Sequence, residues 1–178
     1  MCKLDRIIEK CKKGNREAEE QLYKMFSAKM FATCIQYSKD RAEAEDNLQD
    51  GFIKIFESIG QYSGKGSIEG WMKRIIINTA LEKYRKNRNL QLVEELPDIE
   101  DSDINDENID IPGKVLFEFV EQLPERYRLV FNLYVMEEMS HKEIAAMTAI
   151  TEGTSKSNLA RAREILRKKV KEYLEHEQ

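Results

Sequence analysis

The chain has 178 residues, 41% of them hydrophobic and 35% charged, enough for one domain or two small ones with modest cores. With only three prolines and eight glycines, and without long alternating Val/Thr/Tyr runs, the composition excludes a strand-built protein and predicts an all-α fold. The net charge of −4 conceals a segregation: 18 basic against 13 acidic residues in 1–88, none against 9 in 89–112, and 11 against 11 in 113–178. A binding surface responds to the field within about 8–10 Å, so the chain total does not exclude a nucleic-acid partner.

Cys2, Cys11 and Cys34 form an odd set without C-x-x-C spacing, which argues against a disulfide framework or a zinc site. No apolar segment precedes Cys2 as in a lipoprotein signal, and no run approaches the roughly 18 apolar residues of a membrane span. A cytoplasmic location without membrane insertion is expected.

Leu4, Ile7, Ile8 and Cys11 recur at helical spacing and predict a first helix closed by Gly14-Asn15. A second helix is expected from about Arg16 to Ser38, with Ala18, Leu22, Met25, Phe26 and Cys34 on one stripe. Asp40-x-x-Glu43 has the spacing of a reciprocal cap and opens a helix burying Leu48, Phe52, Ile55, Phe56 and Ile59. Its other face carries Asp46, Gln49, Asp50, Ile53 and Glu57, a mixture suited to docking a partner. A glycine-bearing loop, Gly60 to Ser67, leads to a long helix from Ile68 to Arg88 with Trp71, Met72, Ile75 and Ile76 inward.

Residues 89–112 are acidic, lack aromatics and show no helical period, and read as a flexible linker between domains at 1–88 and 113–178. Their scattered Ile and Leu leave docking against a partner open. Helices follow at about Lys114–Gln122 and Glu125–Met136, split by Leu123-Pro124. Ser140-x-x-Glu143 is a second capping box, opening a short helix with Ile144, Ala145 and Met147 inward. Thr148-Ala149-Ile150 makes a turn, and Thr151 caps a last helix to about Leu174, lined by Leu159, Ile165, Leu166, Val170 and Leu174.

A short capped helix, a tight turn and a second helix with polar residues at its start have the spacing of a helix-turn-helix. From Thr154 to Lys171 the second helix carries Lys156, Arg161, Arg163, Arg167, Lys168, Lys169 and Lys171 against one acid, Glu164. Such cations neutralise phosphates, and the hydroxyls and amide of Thr154, Ser155, Ser157 and Asn158 have the reach to read base edges. In the N-terminal half, Lys73, Arg74, Lys83, Arg85, Lys86 and Arg88 crowd one helix near Tyr62 and Trp71. Cations beside aromatics suit unstacked single strands, although either ring serves equally as core, and core is favoured for Trp71.

Together these segments resemble the extracytoplasmic-function (ECF) group of bacterial sigma factors, over nearly the whole chain. Asp46-Asn-Leu-Gln-Asp50-Gly-Phe-Ile-Lys-Ile-Phe56 is similar to the family's polymerase-docking segment, and Gly70-Trp-Met-Lys-Arg-Ile-Ile-Ile-Asn78-Thr-Ala80 to its −10 melting helix. Leu123 to Phe131, Ser140 to Ala145, and Glu152 to Ser157 with Arg161-Ala-Arg163 resemble its −35-binding domain. The resemblance implies a region 2 domain over 1–88 and a region 4 domain over 113–178. Core RNA polymerase would be met by Asp46, Gln49, Asp50 and Ile53. The single-stranded −10 element would be read by Asn78 and the loop from Tyr62 to Ser67, with Lys73 and Arg74, and the −35 duplex by Thr154, Lys156, Ser157, Asn158, Arg161 and Arg163. It also names an anti-sigma factor as a candidate partner, without encoding which one. Ala149 stands where the family often has glycine, at a cost of ~1–2 kcal/mol if the turn is left-handed. Ser155 and Asn158 stand where an aliphatic residue and an arginine are common.

An ordinary helix-turn-helix regulator would account for the C-terminal half equally well but leaves the basic-aromatic helix unexplained. An enzyme is disfavoured: there is no P-loop, GxGxxG or Ser/His/Asp set, and the linker carboxylates are too irregularly placed to hold a metal. No catalytic residue, metal or cofactor is expected.

Overall fold

A computed structural model describes residues 3–88 and 111–176; the expected linker lies outside the described residues apart from its last two positions. The chain divides into two compact units, Met1–Lys86 and Asn87–Gln178, and the described residues form helices joined by turns and loops, without strands.

The first unit holds α1 (Lys3–Cys11), α2 (Arg16–Gln36), α3 (Arg41–Ser58), a 3-10 turn (Ile59–Gln61) and α4 (Ile68–Arg88). Gly14 closes α1 at φ 70°, donating to Cys11 O while Asn15 N reaches Lys10 O, the paired bonds that satisfy orphan carbonyls at a left-handed helix end. Asn15 then caps α2 through Oδ1, which accepts from Ala18 N at 2.9 Å. Asp40 Oδ1 accepts from Glu43 N at 2.8 Å, and Glu43 returns a bond to Lys39 N, one residue before the cap itself.

Leu22, Met30, Ile55, Met72 and Ile76 are fully buried, each such side chain contributing about 1.5–3 kcal/mol relative to exposure. Met25, expected on the inner stripe of α2, is half exposed; Met30 fills the core instead, because the buried face of this long helix drifts around its axis. Gly51 lets α3 and α4 approach closely: a Cβ there would lie 2.3 Å from Ile76 Cδ1. Asn47, also buried, donates to Ser38 Oγ at 2.8 Å, and Ser38 donates onward to Cys34 O at 2.7 Å, pinning α3 to the end of α2. Burial pushes the Cys11 thiol up to about 11 and the Cys34 thiol up to about 12, so both stay protonated at neutral pH.

The second unit holds α5 (Gly113–Glu121), α6 (Glu125–Phe131), α7 (His141–Thr148) and α8 (Glu152–His176). The expected helix from Glu125 to Met136 is α-helical only to Phe131 and widens into a π turn over Asn132–Met136. Buried residues at 129, 130, 132 and 133 cover a wider arc than one α-helical stripe, and the wider turn brings both Asn132 and Leu133 inside. Leu133, Ile144 and Leu159 form the interior where α6 and α7 meet α8. Val120, Leu123, Tyr127, Ala162 and Leu166 make a second cluster that seats α5.

Candidate nucleic-acid interface

In the C-terminal unit, α7 starts on a complete capping box: Ser140 Oγ accepts from Glu143 N, and Glu143 Oε2 accepts from Ser140 N at 2.9 Å. It ends on Ala149 in the left-handed conformation, φ 55° and ψ 44°, so the strain of about 1–2 kcal/mol foreseen for a residue with a Cβ is present. Thr151 Oγ1 then accepts from Thr154 N at 3.0 Å and starts α8. The turn between two capped ends is what sets the direction of α8.

The first turns of α8 divide their side chains unevenly. Lys156 is exposed, and Thr154, Asn158, Arg161 and Arg163 are half-buried. Thr154 shares a hydroxyl contact of 2.8 Å with Thr151, and Arg161 pairs with Glu164 at 3.0 Å. The Arg163 guanidinium lies 5.8 Å from the centre of the Tyr134 ring, which stacks on His141 at 4.7 Å. Two hydroxyls expected to read bases do not face outward. Ser155 is fully buried with Oγ 2.9 Å from His141 Nδ1, joining the start of α7 to α8. Ser157 is 8% exposed, and its hydroxyl bonds back to Gly153 O and Thr154 O, so it is spent within its own helix. His141 and Tyr134 escaped the sequence reading. One signal pointed their way: Ser155 stands where the resembling family has an aliphatic, hence inward, residue.

In the N-terminal unit, Arg74 and Asn78 are both exposed, four residues apart on one face of α4, while Lys73 is half-buried. Tyr62 corrects another expectation. It is 9% exposed, its hydroxyl donates to Gly66 O at 2.8 Å, and its ring packs 5.6 Å from that of Trp71. Its contacts brace the loop, whose Gly64 and Gly66 sit at φ 77° and 79°; the exposed part is residues 63–67. Trp71 packs against the core, the role favoured for it.

On α3, Asp46, Gln49 and Ile53 are exposed, Ile53 by 55%. Asp50 is only half-exposed and pairs with Lys83 of α4 at 2.7 Å. Lys83 is therefore turned toward α3 and not held free for nucleic acid. Next to that pair, the Lys54 ammonium bonds Glu82 and holds its carboxyl below the usual carboxylate range. Among the described residues, no three His, Cys, Asp or Glu side chains converge on a point, and no helix is long and apolar enough to cross a membrane.

Comparison with known proteins gives two family matches, Sigma-70 region 2 over residues 22–90 and Sigma-70, region 4 over residues 115–166. The RNA polymerase sigma-H factor of Pseudomonas aeruginosa is 26% identical, with 91% of each chain covered. The ECF RNA polymerase sigma-E factor of Haemophilus influenzae is also 26% identical, over 92% of this chain and 93% of its own length. A solved structure of the sigma factor RpoE in complex with the anti-sigma factor NepR from Bartonella quintana aligns at 20% identity, covering 85% of this chain and 96% of that one, with a TM-score of 0.48.

Proposed function

Since the chain belongs to the sigma-70 family of RNA polymerase sigma factors, as a member of the ECF group, it is a transcription initiation factor, and we propose the following division of labour among its residues. Asp46, Gln49, Asp50 and Ile53 on α3 dock core polymerase. Arg74 and Asn78, with Lys73 beside them, hold the single-stranded −10 element against the loop at 63–67, and Tyr62 acts indirectly by bracing that loop. Lys156, Asn158, Arg161 and Arg163 meet the −35 duplex, with Thr154 at the helix start. The domains are taken to be 1–88 and 113–178, joined by the acidic segment 89–112. The protein is read as cytoplasmic and non-catalytic, without metal or cofactor, and an anti-sigma factor is proposed as a partner on family resemblance alone.

The observation that carries this reading is the exposed Arg74–Asn78 pair on α4, the helix that follows a braced glycine loop. A sigma factor opens duplex DNA without ATP, so its contacts must favour the separated strand. Extracting a base costs a few kcal/mol. An amide that bonds the freed base, with cations on its phosphates, offsets that cost. Asn78→Ala is expected to keep polymerase binding and thermal stability but to lose permanganate-detected opening of a duplex promoter. It should lose much less on a template already mismatched across the −10 element. Equal loss on both templates with an unchanged melt would overturn the role of Asn78.

A further inference from the structure

Lys83 lies in a run of cations on α4 that reads, from sequence, as a nucleic-acid surface. The fold gives it a different neighbour. Its ammonium is 2.7 Å from Asp50 Oδ2, with 29% of the lysine side chain and 48% of the aspartate side chain exposed. The adjacent Lys54–Glu82 pair runs in the opposite sense between the same two helices, so four charges alternate along the α3–α4 seam. Among the described residues nothing bonds the other oxygen, Asp50 Oδ1. A lone surface aspartate samples several rotamers, and fixing it on binding costs side-chain entropy. An ammonium that anchors one oxygen from the α4 side removes much of that cost while leaving the other oxygen available.

We propose that Lys83 is a positioning residue for polymerase docking, which holds Asp50 with Oδ1 open to a cationic or amide donor of core polymerase, and that it makes no DNA phosphate contact. The proposal rests on the reading of α3 as the docking face. Because its ammonium group is committed to α3, Lys83 adds nothing to the counterion release expected when cations neutralise phosphates. Arg74, exposed on the same helix, is a cation with that freedom.

The test titrates full-length protein with core polymerase, comparing wild type with Lys83→Met, Lys83→Arg, Asp50→Asn and the Lys83→Met/Asp50→Asn double variant. It also measures the salt dependence of promoter binding by the reconstituted holoenzymes. Methionine keeps the aliphatic stem, and thermal melts report any loss of folding. Lys83→Met should weaken core binding roughly two- to fivefold, the scale of an exposed ion pair, and Lys83→Arg should restore most of it. Asp50→Asn should weaken binding further, and the double variant should be no weaker than Asp50→Asn alone. The salt slope should stay at the wild-type value. Equal effects of Lys83→Met with and without Asp50 would overturn the proposal while leaving the docking face intact. A slope lowered by about one with normal core binding would make Lys83 a phosphate contact. Normal core binding by Asp50→Asn would instead remove Asp50 from the docking face and the proposal with it.

Discussion

The two units join their helices by different chemistry. In the N-terminal unit, long charged side chains reach between helices: Lys29 to Glu69, Lys54 to Glu82 and Lys83 to Asp50. In the C-terminal unit, links between helices include neutral or only half-charged ones, His141 to Ser155 and Lys169 to Gln122. Three ion pairs there run along α8 itself, Arg161–Glu164, Lys168–Glu172 and Lys171–Glu175. An exposed lysine therefore means different things in the two halves. On α4 Lys83 is a strut between helices, whereas on α8 Arg161, Lys168 and Lys171 pair along their own helix, where a phosphate can displace the acid. The hydroxyls behave in the opposite way, and those near the start of α8 are mostly structural.

The comparison is broken most directly at the neutral link. Ser155→Ala removes the buried partner of His141 and should lower stability by about 1–3 kcal/mol, weakening binding to every −35 sequence alike. A variant that melts normally but prefers a different −35 sequence would return Ser155 to the base-reading set.

A smaller effect separates cations from hydroxyls on α8. Lys156→Ala should lower the salt slope of promoter-duplex binding by roughly one, since its ammonium is exposed and the proposed assignment makes it a phosphate contact. Ser157→Ala should change neither slope nor sequence preference, because its hydroxyl bonds within the helix. A shift in preferred sequence with Ser157→Ala would contradict that placement.

Local signals carried most of the fold. The two D/S-x-x-E caps, the Gly14 stop and the inward residues of α3 and α4 are all written within one or two helical turns. The π turn after Phe131 was not legible, since its cause is burial on an unusually wide arc and not a breaker residue. The site was less readable for a related reason. A serine at the start of a recognition helix looks the same whether it faces DNA or a histidine fourteen residues away. Likewise, nothing near Lys83 in sequence reveals that Asp50 folds against it. Tyr62 shows the same ambiguity between a stacking platform and a loop brace, and its bond to Gly66 decides for the brace in this structure.

The smallest expected effect concerns the charged seam. Lys54 lowers the Glu82 carboxyl below the ordinary range in the folded state, so their attraction is intact above that range and is lost as pH falls through the lowered value. Both side chains are more than a third exposed, so solvent screening limits the pair to under about 1 kcal/mol. Urea unfolding of wild type and Glu82→Gln should differ slightly at neutral pH and converge as pH falls below the ordinary carboxylate range. A difference that persists in acid would mean that Glu82 acts through packing and not charge.

Run-off transcription on host genomic fragments, with core polymerase in the presence and absence of this chain, tests the account most directly. It predicts discrete promoter-specific transcripts that require the chain and disappear with Asn78→Ala. Sequence-specific DNA binding by the chain alone, with no new transcript when core polymerase is added, would contradict it and favour a helix-turn-helix regulator of another kind.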